Sequence, residues 1–266
     1  MTARLEPYRV SAYNTAKQSE NKMHDDTVAQ RFGFSGGLVP GVEVMAYMMH
    51  LPIARWGREF LERGLIEARF VKPVYDGETA VVGGSEQGGA LAIEVESGSA
   101  LCATGSAALP ERAPAFDLHD YPETAPVATR PPIGPGAFAV GQWLGTKPVV
   151  WGGEALRNYL AEVREADPIF VKNNLVHPGA LQRIMNRVLV DNVVLGPWIH
   201  VGSRMQLLAA AHGDDTLAAR ARVTANYDKK GHRFVELDAL IVAGGTTPVA
   251  HCHHIAIIQP REQAAA

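Results

Sequence analysis

Gly36-Gly37-Leu38-Val39-Pro40-Gly41-Val42-Glu43-Val44-Met45-Ala46-Tyr47-Met48-Met49-His50-Leu51-Pro52-Ile53 is the stretch whose reading decides the fold. From Val42 to Ile53 it is apolar on almost every face, and such a helix must be enclosed rather than laid on a surface. Pro40 suits a helix start, where the missing N–H has no intrahelical partner in any case. Pro52 is expected to end the helix or bend it. Met45, Met48 and Met49, with Tyr47, read as core filler. Gly36-Gly37 lacks the lysine and preceding strand of a phosphate-cradling loop.

Upstream lies a polar loop, Ser19-Glu20-Asn21-Lys22-Met23-His24-Asp25-Asp26, with a short helix expected over His24 to Arg31. It delivers an amide, an imidazole and several carboxylates to the mouth of the enclosed helix. Free N–H groups at a helix start attract a partly negative oxygen. A base beside such a donor is what enolate or acyl chemistry needs. His24 is the candidate base, because imidazole takes and returns a proton near neutrality; the alternative is a loop histidine capping a helix or facing water. Asn21 reads equally as a holder of water or carbonyl and as a turn residue bonded to its own backbone. Ser19 fits a spacer or cap better than a nucleophile. Asp25 and Asp26 fit the first turn of a helix, where the dipole favours carboxylates. Gly41 is either an oxyanion donor through its N–H or a glycine admitted for close packing.

Downstream the period changes. Thr79 to Val82, Leu91 to Glu96 and Ala100 to Thr104 read as strands, divided by Asp76-Gly77, Gly83-Gly84, Gly88-Gly89 and Gly98. Ala68, Phe70 and Val74 share a further alternating face that Lys72 interrupts. One enclosed helix followed by short strands implies an antiparallel sheet wrapped around it. Pro110 to Pro148 then shifts to Pro, Gly, Ala and Thr and reads as a linker or surface crossover.

After the linker the pattern returns. Leu175-Val176-His177-Pro178-Gly179 echoes Leu38-Val39-Pro40-Gly41, a helix is expected over Ala180 to Val194, and strands over Trp198 to Leu208, Thr216 to Tyr227, His232 to Val242 and Pro248 to Ile258. Gly213 follows Gly179 at nearly the spacing with which Gly77 follows Gly41. We read an internal duplication: one unit over 1–110, a linker over 111–150 and a second unit over 151–266. Trp151 to Lys172 offers no counterpart of the polar loop, so one active site is expected, built mainly by the first half. His177 reads either as a cleft residue or as a helix cap. His251-Cys252-His253-His254 would split over two faces of a strand, so no metal site is expected there.

Bulk properties narrow the function. The 266 residues carry a net charge of −3 with no basic run, which gives no footprint for nucleic acid or an anionic membrane. No apolar run approaches the roughly 20 residues that span a bilayer. Met1 to Val10 carries Arg4, Glu6 and Arg9 without an apolar core, unlike a signal peptide. Cys102 and Cys252 make no disulfide framework, so a reduced, cytoplasmic protein is expected.

Asn21-Lys22-Met23-His24, then Ala29, Gly33-Phe34 and Gly36 to Gly41, resemble the signature of the MaoC-like hydratases and dehydratases. Arg69 to Gly77 resembles that family's later strand and turn. The resemblance implies an α+β double hotdog, two antiparallel sheets each wrapped around a central helix, and we expect the two sheets to be joined side by side. It implies water addition to, or removal from, an enoyl or 3-hydroxyacyl thioester carried on coenzyme A or acyl carrier protein, with no cofactor. His24, Asn21 and Ser19 would be the catalytic set, and Gly41, Val39 and Phe34 the oxyanion and substrate side. The family motif reads Asp-x-Asn-x-x-His, and Ser19 stands where the Asp should be; Glu20, Asp25 and Asp26 are the nearby carboxylates that could substitute. A hotdog thioesterase, a lyase for a substrate that is not a thioester, and a protein that only binds ligand are the alternatives. Whether two chains pair as a homodimer is left open by the sequence.

Overall fold

The computed structural model describes residues 3–262. The enclosed helix, α2 (Gly41–Trp56), runs from Pro40 to Gly57, whose φ of 55° stops it. Eleven of its residues are buried, Glu43 among them. Pro52 neither ends it nor stops it short: the helix continues to Trp56. Proline removes one hydrogen bond, to the carbonyl one turn back, and packing on all sides outweighs a cost of about 3 kcal/mol.

Before α2 come strands β1 (Ala3–Arg4) and β2 (Tyr8–Ser11), a 3₁₀ turn at Lys22–His24 and helix α1 (Asp26–Arg31). After it come α3 (Arg58–Arg63), β3 (Leu65–Phe70), β4 (Thr79–Gln87), β5 (Ala90–Ser97) and β6 (Ala100–Ala108). β5 shows why these segments are strands: Leu91, Ile93, Val95 and Ser97 alternate inward while their neighbours face water. The β3 register explains the interrupted face. The strand ends at Phe70, so Lys72 lies beyond it.

The linker region supplies β7 (Trp143–Gly145), with Phe138 and Leu144 buried. It is therefore more than a crossover: its apolar residues complete the core and the sheet. The second half follows with α4 (Glu154–Glu162), α5 (Pro168–Asn173), α6 (Pro178–Val190), β8 (Ile199–Leu207), β9 (Leu217–Lys229), β10 (His232–Ala243) and β11 (Thr247–Gln259).

The strands form one antiparallel sheet in the order β1-β4-β5-β6-β3-β8-β11-β10-β9-β7, with β2 also on β4. The two sheets expected side by side are joined at one seam, where Leu65↔Gln206 through Arg69↔Gly202 pair β3 with β8. Either strand alone would expose a row of unpaired N–H and C=O groups, and pairing removes both edges. α2 packs against strands of both halves, and α6 against β9, β10 and β11. The two helices also touch: a Cβ on Gly179 would lie 2.7 Å from the Ala46 Cβ, so only glycine lets them approach. Glu43 of α2 meets Arg183 of α6 at 2.8 Å. No helix among the described residues is long and apolar enough to cross a membrane.

Candidate active site

The polar loop is held in place by its own side chains. Asn21 caps the 3₁₀ turn by accepting from Met23 N–H at 3.2 Å. The same amide oxygen accepts from Trp198 N–H at 3.1 Å, and Nδ2 donates to Trp198 carbonyl at 3.0 Å. Asn21, 7% exposed, therefore ties the loop to the start of β8 in the other half. Asp25 caps α1 through Val28 N–H at 3.1 Å, and Asp26 accepts from Gly37 N–H at 2.7 Å. A Cβ on Gly37 would strike the His24 carbonyl, so glycine is required where the loop folds back on itself. Glu20 points outward into an ion pair with Arg130, whose hydrogen bond holds its carboxyl below the usual range. These three carboxylates are engaged as a surface pair, a helix cap and a tie within the loop, and none of them lines the inner cavity around His24. Ser19 donates to the Asn21 carbonyl at 3.3 Å and lines only the outer cleft.

His24 is fixed in one tautomer. Its Nδ1 lies 2.6 Å from the Leu38 carbonyl, which can only accept, so Nδ1 carries the proton and Nε2 is unprotonated. Asn21 Nδ2 donates to that Nε2 at 3.2 Å. Burial lowers the His24 pKa, partly opposed by the Leu38 hydrogen bond. The result is a neutral imidazole at physiological pH, its Nε2 lone pair accepting from Asn21.

α2 begins beside it. Pro40 offers no side-chain cap, and the Gly41 N–H finds no acceptor among the described residues. The start of α6 is different: His177 is fully buried, caps its own helix by accepting from Gly179 N–H at 3.0 Å, and is pulled down to about 4 by burial. One helix start is open and its counterpart is plugged. Val39 is buried, and its N–H is used on the Val74 carbonyl at 2.9 Å. Phe34 packs with Met23, Ala29, Leu38 and Ile199 on the wall of the site.

These residues surround an inner cavity of about 300 Å³ lined by His24, Asn21, Phe34, Val39, Pro40 and Gly41. It adjoins an outer cleft of about 980 Å³, and Asn21, His24, Pro40, Asn186 and Trp198 line both. The inner volume is at the small end for a ligand site. The second half supplies a wall of the cavity, as the duplication led us to expect, but through residues that sequence reasoning did not name: Asn186 on α6 and Trp198 and His200 at the start of β8. Each keeps a buried polar atom without a partner, Asn186 Oδ1, Trp198 Nε1 and His200 Nδ1. Buried polar atoms are normally paired, so three orphans around one cavity mark a place built to meet a ligand or water. The sequence held no signal for them beyond the duplication itself. His251 and His253 face Asp238 and Glu236 at 2.6 and 3.1 Å, while Cys252 and His254 are buried on the opposite face.

No family profile matches the sequence, and no curated protein matches it. Solved structures do match the fold. A putative MaoC domain dehydratase from Chloroflexus aurantiacus superposes with a TM-score of 0.65 at 10% identity, covering 98% of this chain and 95% of that one. A conserved hypothetical protein from Mycobacterium tuberculosis, described as having a double hotdog fold, gives 0.62 at 14% identity over 95% of both chains. This chain has the double hotdog fold. A further double-length neighbour of the hotdog, a MaoC-like dehydratase, gives 0.60 at 12% identity over 96% of this chain and 97% of that one. The hotdog accounts for the repeated helix-plus-strands order and for the helices buried against the sheet. It also puts a loop from one half beside a strand from the other.

Proposed function

We propose that this protein is a hydro-lyase acting on an acyl thioester, interconverting 3-hydroxyacyl and enoyl forms. The observation that carries the reading is the pairing, in one small cavity, of an unprotonated His24 Nε2, oriented by Asn21, with the uncapped start of α2. The structural neighbours named as dehydratases support it, as does the loop motif around Asn21 and His24.

In the dehydration direction the Gly41 N–H receives the thioester carbonyl oxygen. Charge developing on that oxygen is met by an oriented amide and the helix dipole, which acidifies the α-carbon. His24 Nε2 takes the α-proton. The C3–O bond breaks, the double bond forms between Cα and C3, and His24 returns the proton to the departing hydroxyl, which leaves as water. Nδ1 stays on Leu38 throughout and stabilises the transient imidazolium. Asn21 holds the ring and the Trp198 wall in register. Phe34, Val39 and the apolar lining take the acyl chain, and the thiol carrier, coenzyme A or acyl carrier protein, extends through the outer cleft. In this reading residues 1–110 form the unit that carries the chemistry, 151–266 the unit that closes the pocket, and 111–150 the link.

The test is a panel of enoyl thioesters followed by loss of conjugated ultraviolet absorbance, with native protein and His24→Ala. Native turnover that His24→Ala abolishes is expected. Thiol release from saturated acyl-CoA without hydration would instead identify a thioesterase, and no turnover of any enoyl thioester would overturn the reading.

A further inference from the structure

The proton transfer above leaves two imidazoles of the cavity unused: His232, whose Nδ1 accepts from the Arg261 N–H at 3.0 Å, and the buried His200. His200, on β8 of the second half, is 5% exposed and lines the inner cavity together with His24. A Cβ built on Gly41 would lie 2.9 Å from its Nδ1, so the ring stands against the first residue of α2. Phe70 packs edge-on at 4.8 Å between ring centroids, and His254 stacks behind at 4.2 Å. The ring is thus held on both sides, and its Nδ1 has no partner.

The protons around Ser203 fix its tautomer. Ser203 Oγ is 2.8 Å from His200 Nε2 and 2.9 Å from His254 Nδ1, and it donates to Gln182 Oε1 at 3.2 Å. The Gln182 amide is oriented by its Nε2, which lies 3.5 Å from Cys252 Sγ. A hydroxyl has one proton and two lone pairs. With the proton on Gln182, both imidazoles must donate to the serine oxygen. His200 therefore carries its hydrogen on Nε2 and presents a bare Nδ1 beside the helix start. Burial pulls the group down to about 3, so the ring stays neutral across the physiological range.

A bare nitrogen that finds no donor among the described residues calls for one on the ligand. In a 3-hydroxyacyl thioester the carbonyl and the C3 oxygen sit two carbons apart, so a group beside the amide that grips the first is beside the second. We infer that His200 is a catalytic residue of this site, its Nδ1 accepting the hydrogen bond of the C3 oxygen, hydroxyl in dehydration and water in hydration. The inference rests on the hydro-lyase reading. No proton moves to His200: the α-proton goes to His24 and on to the departing oxygen, as above. What His200 supplies is orientation, turning the lone pairs of that oxygen toward His24. This is the positioning that a carboxylate at position 19 would otherwise provide, and it comes from the other half of the chain.

The experiment compares native protein, His200→Phe and His200→Asn on crotonyl-CoA, with thermal unfolding of each. Phenylalanine keeps the stacking and removes the acceptor; asparagine keeps an acceptor near the Nδ1 position. His200→Phe is expected to lower kcat by about 100-fold with KM little changed, since misplacing a reacting group costs on that order. His200→Asn is expected to recover at least a tenth of native kcat. Native-like turnover by His200→Phe overturns the inference and leaves the hydro-lyase reading standing. So does an equal loss in both variants that follows an equal fall in melting temperature, since that is a packing role. If native protein turns over no enoyl thioester, the hydro-lyase reading falls and this inference falls with it.

Discussion

Gly41→Ala tests the geometry at the head of α2 most directly, because two effects oppose each other there. Alanine is the better helix former by about 1 kcal/mol, and the Gly41 backbone is not in the left-handed region. In a roomy site the substitution would therefore raise stability. Here the new methyl would meet His200 Nδ1 at 2.9 Å, the His200 carbonyl at 3.2 Å and Phe70 Cδ2 at 3.2 Å. Two of these neighbours belong to a residue tied to Ser203 and stacked on His254, and so cannot give way cheaply. Overpacking of this kind costs about 1–3 kcal/mol. Net destabilisation of up to about 2 kcal/mol is expected, a fall in Tm of roughly 2–4 °C per kcal/mol for a chain approaching this size. Turnover should fall by about 100-fold or more, since the methyl displaces both the carbonyl seat and His200. Thermal unfolding and steady-state hydration of crotonyl-CoA read the two effects separately. A raised Tm with native turnover would refute both the close approach of His200 and the role of the helix start.

Replacing His24 by Gln should cost about 10²–10⁴-fold in kcat, the range for a general base, with Tm little changed; the hydration assay checks it. In native protein only the neutral His24 is a base and its pKa is lowered, so kcat/KM should hold as pH falls to 6.5 and drop only below it; a pH–rate profile with its acid limb above 6.5 would contradict this. Asn21→Leu strands the Trp198 N–H and carbonyl and the Met23 N–H in a buried place and should destabilise by about 2–4 kcal/mol, measured by denaturant unfolding. Met48→Ala, in the fully buried middle of α2, should cost about 2–5 kcal/mol by the same measurement. Global stability should fall in acid. His177 and His200 titrate near 6.5 when unfolded but are depressed to about 4 and about 3 in the fold, so the unfolded chain binds more protons between those values. The stability they contribute is present above pH 6.5 and drains away as pH falls toward 4 and then 3, at about 1.4 kcal/mol per pH unit per group.

Much of this was legible because it is periodic or local. The apolar run after Pro40 marked the buried helix, alternation marked β5, and the strands of the second half lie within a few residues of their expected bounds. The placement of the loop was legible too, since Asn21 and His24 lie one turn apart and line the same cavity. What stayed hidden was pairing at long range. Asn21 bonds to Trp198 across 177 residues, and neither residue type nor spacing announces it. The β3–β8 seam depends on which edges meet in space, and no pattern within either strand encodes it. The linker misled because proline and glycine dominate its composition while a few apolar residues, Phe138 and Leu144 among them, do the packing. Position 19 could be read as a departure from the motif, but His200, which we infer takes over its part, lies on a strand of the other half.

His177 closes its own helix with a side chain, whereas Pro40 leaves the matching place bare. In a symmetric pair of identical chains every substitution appears twice, so a plug at one helix mouth would shut both. Fusing the copies lifts that constraint. One half is free to trade reactivity for rigidity while the other keeps its mouth open, and the loss of symmetry is what allows a single, lopsided pocket to draw its parts from two unequal relatives.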